Sequence, residues 1–217
     1  MRLLLASASP ARLATLRACG VEPLVQVSGV DEDAVLAAGV ARFGELAPVD
    51  AVLLLAHAKA QAVVDERDAR DESDESRGGE DDVLVLGCDS LLELDGLAFG
   101  KPRDATEATQ RWRTMRGRSG VLHTGHWLVD ARDGGSGGTV GASSSTVVHF
   151  ADLSDAEIDA YVATGEPLAV AGAFTIDGLG GAFVRAIEGD HHGVVGLSLP
   201  LLRDLLGQVG VSVPDLW

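Results

Sequence analysis

The chain has 217 residues, 46% of them hydrophobic, and carries 33 acidic against 17 basic residues for a formal net charge of −16. That length and apolar share sustain one sizeable α/β domain with a well-buried core, or two lobes sharing one sheet. The charge speaks against a protein that coats nucleic acid or an anionic membrane, since both need basic surface, and no apolar run approaches membrane-spanning length. A nucleotide held in a locally basic pocket remains compatible with it.

The N-terminal Met-Arg-Leu-Leu-Leu-Ala-Ser-Ala is too short in its apolar part to serve as a secretory signal. Residues 3–6 read as a buried strand. Ser9 is a good helix N-cap, Pro10 a good first helical residue, and Gly20 a stop. Strand, Ser-containing turn and helix together put free backbone N–H groups and a positive dipole end at the sheet edge, where an anion can bind. Arg12, in the first helical turn, could add a bidentate fork to a phosphate. An ordinary β–α connection with solvated serines has the same local pattern.

Residues 25–27 read as a second short strand, followed by the acidic cluster Asp31-Glu32-Asp33. Such a cluster serves either as a metal ligand or as a solvated turn, and the second is commoner. Pro48 opens a helix with Val49, Val52, Leu53, Ala56, Ala60 and Val63 at helical spacing. Lys59 stands at the edge of that stripe, where its stem can reach a neighbouring cleft. The chain has two lysines, Lys59 and Lys101, against fifteen arginines. A compact ammonium reaches places that a guanidinium cannot, so their survival points to a role, with chance as the alternative. Residues 65–82 are dense in Asp, Glu, Ser, Gly and Arg and are expected to form a disordered acidic loop inserted in a single domain spanning 1–217.

Residues 83–86 form a continuous apolar run, as in a strand buried on both faces, and the run ends at Gly87 with Asp89 just beyond. Strand ends of this kind are where open α/β sheets bind ligands. Asp95-Gly96 is a hairpin signal, so the chain doubles back and carries Lys101 towards Asp89. A carboxylate for a metal and a cation for phosphate oxygens are what a polyphosphate site needs. Further along, Asp104 caps a helix through Met115, residues 121–129 and 146–150 read as strands joined by a flexible 133–138 connection, and Ser154–Glu157 is a capping box. Short apolar pieces broken by glycines follow, then the His191-His192 loop and a closing helix over 200–209. Two histidines without further ligands at metal spacing make a poor metal site. Cys19 and Cys88 read as buried thiols of a reducing compartment, which places the protein in the cytoplasm.

The order of motifs resembles the Maf family: Leu-Ala-Ser-Ala-Ser-Pro-Ala-Arg, Val-Asp-Glu, Leu-Ala-His-Ala-Lys-Ala, Gly-Cys-Asp-Ser and Gly-Lys-Pro. Arg-Gly-Arg-Ser, Thr-x-Val-x-Phe, Leu-Ser-x-x-Glu-Ile-x-x-Tyr, Gly-Glu-Pro, Ala-Gly-Ala-Phe and Val-Val-Gly-Leu extend the likeness over nearly the whole chain. The resemblance implies a nucleoside triphosphate pyrophosphatase with a mixed α/β fold, a central twisted sheet with flanking helices in two elongated lobes, akin to inosine triphosphatases. It also implies a divalent cation, Mg²⁺ or Mn²⁺, frequent homodimers and a link to inhibition of septum formation. Asp89 would be the proton acceptor and, with Glu32, would hold the metal by hard oxygen ligation. Ser7, Ser9, Arg12, Lys59 and Lys101 would line the phosphate cleft. The sequence departs from the common family pattern at Ala11, Ser90, Asp177 and Gly120, and the first three bear on base choice. A non-catalytic nucleotide-binding regulator of division would keep the cations but would not need the carboxylate pair.

Overall fold

The computed structural model describes residues 1–71, 82–132 and 134–217. The chain runs β1 (Arg2–Ala6), α1 (Pro10–Ala18), β2 (Leu24–Val25), α2 (Glu32–Phe43), α3 (Pro48–Asp71), β3 (Val83–Leu94) and β4 (Leu97–Phe99). It continues with α4 (Ala105–Met115), β5 (Ser119–Ala131), β6 (Thr139–Phe150), α5 (Asp155–Ala163), β7 (Val184–Glu188), α6 (His191–Val195) and α7 (Leu199–Gln208). Among the described residues seven strands make one sheet in the order β2-β1-β3-β5-β6-β7, with β4 paired to β3. The sheet is mixed: β1 runs parallel to β2 and β3, whereas the β3/β4 and β6/β7 pairs are antiparallel. No described helix is long and apolar enough to cross a membrane.

Two compact units arise. The first comprises Met1–Asp89, Gly125–Ser143 and Leu199–Trp217, and the second Ser90–Thr124 and Ser144–Ser198. In the second, Trp112 on α4 is fully buried, meets Phe150 and Tyr161 edge-on at 5.6 and 5.5 Å, and donates its indole N–H to the Ala173 carbonyl at 2.8 Å. Those T-shaped contacts add to burial because ring edges and faces carry opposite partial charge. In the first, Leu4, Val83 and Val85 pack against Ala60 and Val63 of α3.

Local signals in the sequence hold. Ser9 caps α1 and Pro10 opens it, Asp104 caps α4, and Ser154 with Glu157 forms a capping box on α5. Asp95 and Gly96 both take positive φ, 55° and 79°, as a two-residue hairpin loop requires. Several expectations need correction. The strand does not end at Gly87: β3 runs on through Asp89 to Leu94. It is β1 that stops, its last pair being Ala6 with Gly87. Residues 65–71 are not loop but the last turns of α3, where Gln61–Asp65 at 2.8 Å and Glu66–Arg70 at 3.4 Å make helical i,i+4 pairs. A polar stretch stays helical when it only extends a helix nucleated by packing. The remainder of the expected 65–82 loop, up to residue 81, lies outside the described residues, as does position 133 of the expected flexible connection. The acidic cluster opens α2, and the His pair sits in α6 behind the cap Asp190.

The first unit depends on two glycines. A Cβ at Gly87 would strike the Ala56 carbonyl oxygen, and one at Gly125 would strike the Val52 carbonyl oxygen. Helix α3 therefore crosses β3 and β5 with its backbone against theirs. Gly87→Ala and Gly125→Ala are each expected to cost about 2–3 kcal/mol and to lower Tm by roughly 5–10 °C in a thermal melt. Gly207→Ala is the control: it lies within α7, a Cβ there meets nothing within 4 Å, and it should stabilise by about 0.5–1 kcal/mol.

Candidate active site

The close crossing of α3 decides where Lys59 goes. Gly87 and Asp89 are two residues apart on β3 and so share a face, while Ala56, Lys59 and Ala60 lie three and four apart on one side of α3. With Ala56 pressed on Gly87, Lys59 lands on Asp89. Its ammonium pairs with Asp89 Oδ1 and, at 2.7 Å, with Glu32 Oε1. Glu32 is the first residue of α2, and its neighbour Asp31 caps that helix by accepting from the Ala34 N–H at 3.0 Å. Glu32 remains half open to solvent, whereas Asp89 and Lys59 are largely enclosed, their side chains 9% and 11% exposed. From the edge of its helical stripe the lysine thus reaches between two carboxylates.

The turn from β1 to α1 forms another wall. Ser7 and Arg12 are both buried. The Arg12 Nη1 donates to Ser7 Oγ at 3.1 Å, and the Ser9 N–H donates to the same oxygen at 3.2 Å. Ser9 Oγ accepts from the Arg12 N–H at 3.4 Å. Burial pushes the Asp89 carboxyl up, and the nearby Lys59 and Arg12 charges pull it down without cancelling that push. Burial likewise pushes the Cys88 thiol up to about 12, so this cysteine is a filler of the interior and no nucleophile.

Seven of the expected residues, Ser7, Ser9, Ala11, Arg12, Glu32, Lys59 and Asp89, lie in the first unit. Lys101, Ser90 and Asp177 belong to the second. Lys101 is exposed just after β4, and its carbonyl accepts from Arg111 Nη2 at 3.5 Å. Asp177 is exposed and takes a hydrogen bond from the Thr175 hydroxyl. Ala11 is half-buried on α1 beside Arg12. Ser90 shows a contact that sequence reasoning missed. Thr124, wholly buried on β5, donates to the Gly193 carbonyl at 2.8 Å and stands 2.9 Å from Ser90 Oγ. With its proton committed to Gly193, Thr124 accepts from Ser90. The sequence offers only a threonine in a strand that also carries His123, His126 and Asp130, which does not set it apart.

A hard divalent cation fits the donor set at Asp89 and Glu32: two carboxylates from different elements converge on one positive centre, which Lys59 supplies here. Among the described residues no group of three or more His, Cys, Asp or Glu is placed to hold a metal ion. Further oxygen ligands would therefore come from water and from phosphate, as is usual for Mg²⁺.

A family model described as Maf-like protein matches residues 2–209. A nucleoside triphosphate pyrophosphatase of Leifsonia xyli is 54% identical over 217 residues, covering 100% of this chain and 97% of the relative. Those of Salinispora tropica and Streptomyces coelicolor are 56% and 52% identical over 100% of this chain, with 88% and 94% of their own lengths covered. Among solved structures, a nucleoside-triphosphatase / dITP/XTP pyrophosphatase of Mycobacterium abscessus matches at TM-score 0.36 and 15% identity, over 70% of this chain and 76% of that chain.

Removing either serine from the β1–α1 turn should loosen it. Ser7→Ala strips a buried guanidinium of an acceptor and is expected to cost about 1.5–3 kcal/mol in urea unfolding, against about 0.5–2 kcal/mol for loss of the helix cap in Ser9→Ala.

Proposed function

The chain belongs to the Maf family, and from that premise we propose that it hydrolyses nucleoside triphosphates to nucleoside monophosphate and pyrophosphate. Asp89 is the proton acceptor for water attacking the α-phosphorus. The observation that carries this reading is the Lys59 ammonium held between Glu32 and buried Asp89, with Arg12 at hand. That arrangement keeps a carboxylate dry in an acidic protein while gathering cations around it.

Each residue has a task. Asp89 is fixed on the middle of β3, so its carboxylate cannot retreat from a water placed against it. Ser7 Oγ already accepts two hydrogen bonds, which leaves its O–H as the donor it offers a phosphate oxygen. Arg12 opposes the charge that builds on the departing pyrophosphate, assisted by the N–H groups at the start of α1. Lys59, an ammonium on a long flexible stem, can turn from the carboxylates to a phosphate oxygen when substrate arrives. Lys101 is assigned to the same task from its motif. Mg²⁺ or Mn²⁺ held by Asp89 and Glu32 supplies, when bound, polarisation of phosphate oxygens and acidification of water. Base choice runs through Ala11, Ser90 and Asp177. Ala11 lacks the guanidinium donor of many relatives, and an ionised Asp177 only accepts hydrogen bonds where glutamine both donates and accepts.

Asp89→Asn keeps the shape and removes the base, and kcat should fall by about 10³-fold, near 4 kcal/mol in the barrier, with an unchanged circular dichroism spectrum. In the parent, pyrophosphate and monophosphate should appear in equal amounts and vanish on chelation with EDTA. Orthophosphate as the first product, or near-parental rates in Asp89→Asn, would overturn the reading.

Lys59→Arg tests the ammonium separately. A guanidinium keeps the charge but spreads it over a planar fork that does not fit the single point between Glu32 and Asp89. Steady-state kinetics should show kcat/KM lowered by about tenfold or more, a barrier change of at least about 1.4 kcal/mol.

A further inference from the structure

The second unit carries a polar row to which the proposed hydrolysis assigns no role. Leu92, Leu94, Leu122 and Val148 point into the Trp112 core. Glu93, His123 and Ser145 therefore stand on the other face of β3, β5 and β6, because side chains alternate along a strand. His123 Nε2 lies 2.9 Å from Glu93 Oε2, and His123 Nδ1 lies 2.8 Å from Ser145 Oγ. The imidazole is buried, with its side chain 8% exposed, while Ser145 is exposed.

Donor and acceptor inventory sets the direction of both bonds. An ionised carboxylate only accepts, so the proton of a neutral His123 resides on Nε2 and is donated to Glu93. Nδ1 then carries a lone pair, and the Ser145 hydroxyl donates to it. A serine bonded to the basic nitrogen of an imidazole, itself oriented by a third group, has what a nucleophile needs to shed its proton on attack.

A second row lies alongside on the same face. His149 Nδ1 is 2.6 Å from Ser119 Oγ, and His149 Nε2 is 2.8 Å from Glu188 Oε1. It is the wetter of the two: its Glu188 side chain is 73% exposed and its His149 23%, against 32% for Glu93. Water competes for hydrogen bonds in the second row, and the buried imidazole of the first is better fixed.

We infer that Ser145 is an activated serine, a site of covalent modification by small acyl or phosphonyl esters, with His123 as its base and Glu93 holding the base in the productive tautomer. With a phosphonyl fluoride, Ser145 Oγ attacks phosphorus, the O–P bond forms and the P–F bond breaks. Fluoride leaves, and the serine proton passes to His123 Nδ1 and then to solvent. The inference does not depend on the assignment of Asp89.

The test is incubation of the full-length protein with an alkyl fluorophosphonate, followed by intact-mass and peptide mass spectrometry. One adduct per chain is expected, located on Ser145 and absent from Ser145→Ala. Glu93→Gln should slow labelling by at least about tenfold, because its amide can donate to Nε2 and reverse the tautomer. Thermal melts of both variants near that of the parent establish that the fold is kept. Absence of an adduct, an adduct spread evenly over exposed serines including Ser119, or an unchanged rate in folded Glu93→Gln would overturn the inference.

Discussion

The backbone-to-backbone crossing of α3 over β3 and β5 is the constraint on which the rest of the first unit depends. Two positions without a Cβ, Gly87 and Gly125, let a helix come closer to a sheet than side chains normally allow. Close approach fixes rotation as well as distance. Once Ala56 is pressed on Gly87, the next turn of the helix has no choice but to deliver Lys59 to Asp89. Helix α2 then follows α3 through Gly39, where a Cβ would strike Leu54. The N-terminus of α2 accordingly presents Glu32 to the same ammonium. A site made from three elements far apart in sequence is in this way set by a few small residues that take no part in its chemistry.

Electrostatics in this chain are local. A net charge of −16 would repel a polyphosphate at long range, but screening confines that repulsion to about 8 Å at physiological salt. Within the site the balance is different. Arg12 and Lys59 act on Asp89 from short range, and burial keeps water from weakening them. Burial also penalises the carboxylate itself, which is why its proton affinity rises despite two cations. A carboxylate that is dry and whose carboxyl burial has pushed up is a stronger proton acceptor than a solvated one.

Three strands, β3, β5 and β6, each give one half to either unit. The alternation of faces along them places apolar side chains on the Trp112 core and leaves the polar rows Glu93–His123–Ser145 and Ser119–His149–Glu188 on the other face. The Ser90–Thr124–Gly193 chain stands instead on the core side, Ser90 and Thr124 sharing the faces of Leu92 and Leu122, and joins the residue after Asp89 to the helix α6 that Asp190 caps. Polar residues inside long strands are costly unless partnered, and for Ser90, His123 and His149 the adjacent strand supplies a partner.

What the sequence by itself determined is what short-range physics controls. Ser9-Pro10, Asp104 and the Ser154–Glu157 box begin helices because a side-chain oxygen meets an orphan N–H three residues on, and Asp95-Gly96 turns the chain because both residues tolerate positive φ. The motif order carried family membership, and it singled out Ser7, Ser9, Arg12, Glu32, Lys59 and Asp89, which fall together in one unit. Boundaries and partners were another matter. Nothing local distinguishes a strand that ends at Gly87 from one that continues to Leu94, because the difference lies in where β1 stops pairing. Residues 65–71 look like loop by composition and are helical because a packed α3 precedes them. That Lys59 bridges Glu32 and Asp89, that Thr124 holds Ser90, and that Ser145 faces His123 were decided only by tertiary structure. Each joins residues 22 or more positions apart, and the chain's own periodicity has no term for such distances.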